Sequence, residues 1–141
     1  MLKKVFLVSC VAGKKPDPDR AADLYTSAWF IKARRLVEGT GAPWFILSAE
    51  YGLLGPDITI RPYDKTLNTM PSAERREWAE RVKDQMSRTL PSADELIIFA
   101  GKRYREHLLL FLRGCFPKVT VPMEGLTIGR QLNWMDNAET I

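Results

Sequence analysis

The alternation of short apolar runs with helical periodicities predicts a three-layer α/β fold, a mostly parallel sheet of four to five strands with helices on both faces. Three observations carry that expectation. Short apolar runs at residues 5–9 and 44–48, the first suited to a strand buried on both faces, are followed by further strands read at 95–100 and 118–121. Segments with helical spacing separate them, and polar or glycine-bearing stretches follow the apolar runs, where strand-to-helix turns belong. The chain has 141 residues, 45% hydrophobic and 27% charged, which suits one domain over 1–141 and excludes a disordered chain or a two-domain enzyme.

The first strand, Val-Phe-Leu-Val-Ser at 5–9, leads into a helix predicted over 21–37, which brings Leu24, Ala28, Ile31 and Leu36 to one side and ends at Gly39 and Gly41. The second strand, 44–48, opens into a long segment containing Pro56 and Pro62, with Pro71 just beyond. Little periodicity is visible there, so an extended loop is expected as far as Thr69. Loops of that length usually carry function. Ser72 is the expected N-cap of a helix carrying Trp78, Val82, Gln85, Met86 and Leu90. A strand at 95–100, a helix at 102–112, a short strand at 118–121 and a closing helix at 128–135 complete the order, with a frayed tail from 137 to 141.

Charge and rare residues narrow the chemistry. The formal charge of +4 favours a polyanionic partner. Cys10 and Cys115 are too few for a disulfide framework, and His107, the single histidine, excludes a multi-histidine metal centre, so no metal and no cofactor are expected. The start lacks a signal-peptide core and the apolar run at 108–112 is far too short to span a membrane. A cytoplasmic protein without membrane contact is therefore expected, and the sequence sets no oligomeric state.

In a parallel sheet, four loops meet on one edge: Ser9-Cys10 through Gly13-Lys14-Lys15, Ser48-Ala49-Glu50-Tyr51-Gly52, Gly101-Lys102-Arg103-Tyr104, and Glu124-Gly125 through Gly129. Singly, such residues make tight turns; together they suggest a site. Gly13-Lys14-Lys15 is no Walker loop, since the earlier glycine and the following hydroxyl residue are missing, although Lys14 or Lys15 could neutralise a phosphate. Cys10 reads as packing before nucleophile, with no histidine nearby in sequence to serve as its base.

The stretch 48–67 is the most informative. It holds Tyr51 and Tyr63 with the acids Glu50, Asp57 and Asp64, and aromatic rings beside a carboxylate suit recognition of a nucleobase and stabilisation of a sugar cation. The plain alternative is a packed Ω-like loop.

Ser-Ala-Glu-Tyr-Gly-Leu-Leu followed by Pro-Tyr-Asp-Lys-Thr-Leu resembles the signature of a bacterial and phage-associated domain related to the YaaA peroxide-stress proteins. Val-Ser-Cys with Lys14 and Lys15, Asp23-Leu24-Tyr25-Thr26-Ser27 leading to Phe30, Ala100-Gly101 with Tyr104, and Gly125 through Leu132 with Trp134 extend the likeness over nearly the whole chain. YaaA itself is larger and has a helix-hairpin-helix element that this chain lacks. The resemblance implies an α/β domain associated with DNA, and an anti-phage DNA glycosylase acting on modified cytosine is similar to this group.

Cleaving an N-glycosidic bond needs little more than one carboxylate to stabilise an oxocarbenium-like state and donors for the departing base. Asp64, in the Pro-Tyr-Asp segment, is the first choice, with Glu50 and then Glu124 in reserve. Tyr51 or Tyr63 would stack on the base. Ser9, Ser48 and Gln131 would bond its edge, and Cys10, Lys14, Tyr25, Ser27, Gly52, Gly101 and Tyr104 would line the pocket. Arg75, Arg76, Lys102, Arg103, Arg105 and Arg130 are the candidate phosphate contacts. The expected function is therefore a DNA glycosylase of anti-phage defence with DNA as partner. The alternatives are a non-catalytic DNA- or nucleotide-binding module and a hydrolase or transferase of free nucleosides or nucleotides.

Overall fold

A computed structural model of the chain describes residues 2–10, 13–138 and 141; Val11 and Ala12, in the first of the four loops, and part of the expected tail lie outside them. The strands are β1 (Lys4–Ser9), β2 (Asp19–Arg20), β3 (Trp44–Ser48), β4 (Gly52–Leu54), β5 (Thr59–Ile60), β6 (Glu95–Phe99) and β7 (Lys118–Thr120). The helices are α1 (Ala21–Leu24), α2 (Ala28–Gly39), α3 (Ser72–Thr89), α4 (Lys102–Arg105), α5 (Leu109–Cys115) and α6 (Ile128–Asn137).

The main sheet has five strands in the order β4-β3-β1-β6-β7, parallel except for β4, which runs antiparallel to β3. This is the expected three-layer α/β architecture. β1 is central, with Val8 opposite both Ile46 and Phe99, and its residues Val5 to Ser9 are all buried. A strand hydrogen-bonded on both edges and covered on both faces has no polar surface to offer, which is why it reads as a continuous apolar run.

Aromatic contacts tie the layers together. On one face Phe30 of α2 meets Trp44, while Phe99 lies between Phe6 and Trp134 of α6. On the other, Trp78 of α3 sits edge-to-face with Tyr104 of α4, and its indole nitrogen donates to the Ser48 carbonyl at 2.9 Å. α2 and α6 pack against each other, fastened by Trp29 Nε1 donating to Gln131 Oε1 at 2.7 Å.

Several expected elements differ. The helix predicted over 21–37 is two helices, because Tyr25 is extended and the Ser27 hydroxyl accepts from the Phe30 amide to start α2 afresh. Ile31, placed on the apolar side by spacing, is exposed. The helix predicted over 102–112 is also interrupted, between Arg105 and Leu109. Ser72 is the first residue of α3 rather than its cap: Pro71 flanks the helix, and no side chain caps it.

The segment after β3 is not an irregular loop. β4 extends the sheet, β5 pairs antiparallel with β2, and Leu67–Thr69 form a single 3-10 turn. The Arg20 guanidinium fastens this arrangement by pairing with both Asp23 and Asp57.

Candidate functional site

The strand order creates a switch point. From β1 the chain crosses to β3 on one side and later returns to β6 on the other, so the carboxyl ends of β1 and β6 diverge and leave a crevice. Cys10 follows β1 and Tyr104 follows β6; both line a cavity of about 290 Å³ with Gly13, Lys14, Asp64, Lys65, Thr66 and Asn68. That volume lies just below the range of roughly 300–1,000 Å³ usual for small-molecule sites, which suits a ligand the size of a nucleobase with its sugar.

Beside the cavity lies a buried hydroxyl cluster centred on Tyr63. Its phenol oxygen is 2.7 Å from Ser48 Oγ, which donates to it, 2.8 Å from the Tyr25 hydroxyl and 3.2 Å from Cys10 Sγ. Ser48 Oγ also accepts from the Tyr51 amide at 3.0 Å, so the hydroxyl at the end of β3 shapes the turn as well as the cluster. Burial pushes the phenols of Tyr25 and Tyr63 well above the ordinary tyrosine range, and adjacent Cys10 adds to the shift in both. Burial likewise raises Tyr104, whose hydroxyl lies 3.4 Å from the Leu67 amide and from Thr66 Oγ1. Of these phenols Tyr104 lines the cavity itself, while Tyr25 and Tyr63 lie behind its wall.

Lys14 supplies the charge. An antiparallel bridge to Tyr25 fixes its backbone, and its ammonium lies 4.4 Å from the centre of the Tyr63 ring and 5.8 Å from that of Tyr25. Gly13 permits the approach: its φ is +104°, and a Cβ there would sit 3.0 Å from Thr26 Oγ1. Asp64 is exposed at the cavity, and among the described residues its carboxylate has no hydrogen-bond or ion-pair partner. Glu50 is also exposed but is held 3.5 Å from Lys65. Exposed ion pairs of that kind contribute about 0–1 kcal/mol, so this one can open at little cost.

The other expected site residues divide clearly. Tyr51 stays beside the cluster, edge-to-face with Tyr63, with its hydroxyl on the Arg61 backbone. Gly52 serves the turn rather than a ligand, with φ +75° and the Gln85 amide packed against it. Gly101 precedes α4 and its carbonyl accepts from the Tyr104 amide. Ser9 is buried and, by strand alternation, faces away from Cys10; its hydroxyl has no partner among the described residues. Ser27 caps α2, and Gln131 holds Trp29 and the Leu126 carbonyl, so neither side chain is free to meet a base.

Of the expected phosphate contacts, Lys102, Arg103, Arg76 and Arg130 are exposed. Arg105 donates to the Ala100 carbonyl, and Arg75 is committed to Glu106 and the Met70 carbonyl. Glu124 is exposed and does not line the cavity. Lys65, Thr66 and Asn68 were given no role by sequence reasoning, although Lys65 and Thr66 fall in the Pro-Tyr-Asp-Lys-Thr-Leu signature beside Asp64. Among the described residues no group of three or more His, Cys, Asp or Glu side chains could hold a metal ion, and no helix is long and apolar enough to cross a membrane.

Fold and cavity together define a small doubly wound α/β protein with a ligand-sized crevice at its switch point. The chain belongs to DUF6884, a family of unknown function whose model matches residues 5–137. It is similar to the uncharacterized protein YfjM of Bacillus subtilis (strain 168), at 32% identity over 122 residues that cover 76% of this chain and 75% of that protein. No solved structure matches it.

Proposed function

We propose that this protein hydrolyses the N-glycosidic bond of a base in DNA, a modified cytosine of phage DNA being the favoured target, and leaves an abasic site as part of anti-phage defence. The observation that carries this reading is the uncommitted Asp64 carboxylate in the same cavity as Lys14, Cys10 and Tyr104. Departure of the base leaves positive charge on the sugar, and a carboxylate there stabilises it and orients the attacking water. The Tyr104 hydroxyl, kept protonated by burial, is a neutral group able to donate to the departing ring.

Extruding a base costs a few kcal/mol, which stacking of roughly 1–3 kcal/mol largely offsets. Tyr51, half-buried and packed against Tyr63 rather than lining the cavity, is the ring we assign to that role, because the Tyr63 face carries the Lys14 ammonium. Exposed Lys102 and Arg103 stand immediately before cavity-lining Tyr104 and suit phosphates further along the strand, outside the cavity.

The test is to incubate the protein with unmodified and hypermodified phage DNA and to assay free base and alkali-labile strand breaks. The expected result is base release from the modified DNA, reduced at least about 100-fold by Asp64→Asn, which preserves shape and removes the charge. Binding without release from either DNA would establish a binding module instead, and release from free nucleosides alone would establish a small-molecule enzyme. Full activity in the Asn variant would remove Asp64 from the mechanism.

A further inference from the structure

We infer that the cavity is built for an internal nucleotide of a strand, a sugar bearing phosphate on both its 5′ and 3′ sides, with Lys14 and Lys65 as the two phosphate contacts. This rests on the reading of the cavity as a nucleotide site in DNA and adds to it the two side chains that hold the phosphates.

The charge pattern carries the inference. Two ammonium groups and a single carboxylate share the cavity, and the lysines come from separate segments of the chain. Lys14 lies against ring faces and has no acidic partner among the described residues, so its hydrogens remain available to an anion. Among the described residues Lys65 has only Glu50, at 3.5 Å, with both side chains about half exposed at 49% and 43%. A phosphate, with more acceptor oxygens and more charge than that carboxylate, competes well for the same ammonium.

Asp64 would repel a phosphate, so it belongs beside the uncharged sugar and base. With one phosphate to each ammonium, a nucleoside would satisfy neither lysine and a mononucleotide one. A unit within a strand satisfies both.

Titration calorimetry on the full chain tests this with a 2′-deoxynucleoside, its 5′- and 3′-monophosphates and its 3′,5′-bisphosphate. In the native protein each phosphate is expected to tighten binding about tenfold relative to the nucleoside. Lys14→Met should abolish one of the two increments and Lys65→Met the other, each judged against the nucleoside affinity of the same protein. The methionine keeps an unbranched apolar side chain and lies on accessible surface, so both variants should fold.

A bisphosphate that binds no tighter than a monophosphate overturns the inference, as does retention of both increments in the two variants. Inorganic pyrophosphate binding as tightly as the bisphosphate would also overturn it, since the site would then read charge without the sugar. Both increments present in a protein that releases no base leave this inference standing and remove the hydrolysis; base release without the increments does the reverse.

Discussion

The Tyr63 hydroxyl shows how much one atom organises. It meets Tyr25, Ser48 and Cys10, which lie 38, 15 and 53 residues away in the chain. Tyr63→Phe strips all three of a buried partner and should cost about 1–3 kcal/mol, whereas Tyr25→Phe, which removes one hydrogen bond, should cost about 1 kcal/mol; urea titrations of both variants check the ranking. The raised phenols of Tyr25, Tyr63 and Tyr104 also set an alkaline limit. Unfolded tyrosines ionise near pH 10.0, while the folded ones stay protonated above it. Above that pH the unfolded chain binds fewer protons, so stability is full below about pH 10 and falls as pH rises, by up to about 1.4 kcal/mol per pH unit for each tyrosine. Unfolding midpoints measured from pH 8 to 11 should show this decline and its flattening in the phenylalanine variants.

At the scale of elements, β1, β3 and β6 were legible because burial leaves an apolar run, while β7, a half-exposed edge strand of three residues, was legible only from its place between two helical segments. β2, β4 and β5 were not, since each has two or three residues and owes its existence to a partner far away in sequence. The breaks at Tyr25 and after Arg105 were hidden for a related reason: helical spacing continues across them, while tertiary contacts decide the backbone. The site divides the same way. Lys14 was visible in the loop after a predicted strand and Asp64 through the Pro-Tyr-Asp signature, but the hydroxyl hub and the pairing of Lys65 with Glu50 exist only in three dimensions. The β3–β4 turn depends on Gly52 in a conformation that L side chains avoid, against which Gln85 packs while accepting from the Leu53 amide and donating to the Tyr51 carbonyl. A Cβ at Gly52 would lie 2.2 Å from Gln85 Oε1. Gly52→Ala should therefore destabilise by roughly 2–4 kcal/mol, combining backbone strain with the two displaced hydrogen bonds. Thermal unfolding of Gly52→Ala, Gln85→Ala and the double variant should show a combined loss smaller than the sum of the singles, because deleting the amide side chain relieves the clash.

Across the whole molecule, the positive balance matters less than where its uncommitted members stand. Arg20, Arg34 and Arg75 are spent on internal carboxylates, while Lys102 and Arg103 remain exposed next to the cavity wall. If those two meet phosphates, Lys102→Gln with Arg103→Gln should flatten the plot of log binding constant against log salt by about 0.7–0.9 for each phosphate no longer neutralised. Binding measured between 50 and 200 mM salt would read that slope, about 50 mM being the lower practical limit for such a series.

The segment bearing Asp64 is tied down before any ligand arrives: β4 is laced to the main sheet, β5 to β2, and the 3-10 turn rests on the Tyr104 hydroxyl. A site anchored on three sides needs no induced closure. Association then consumes little chain entropy, and selectivity among ligands is set by the fixed outline of the crevice.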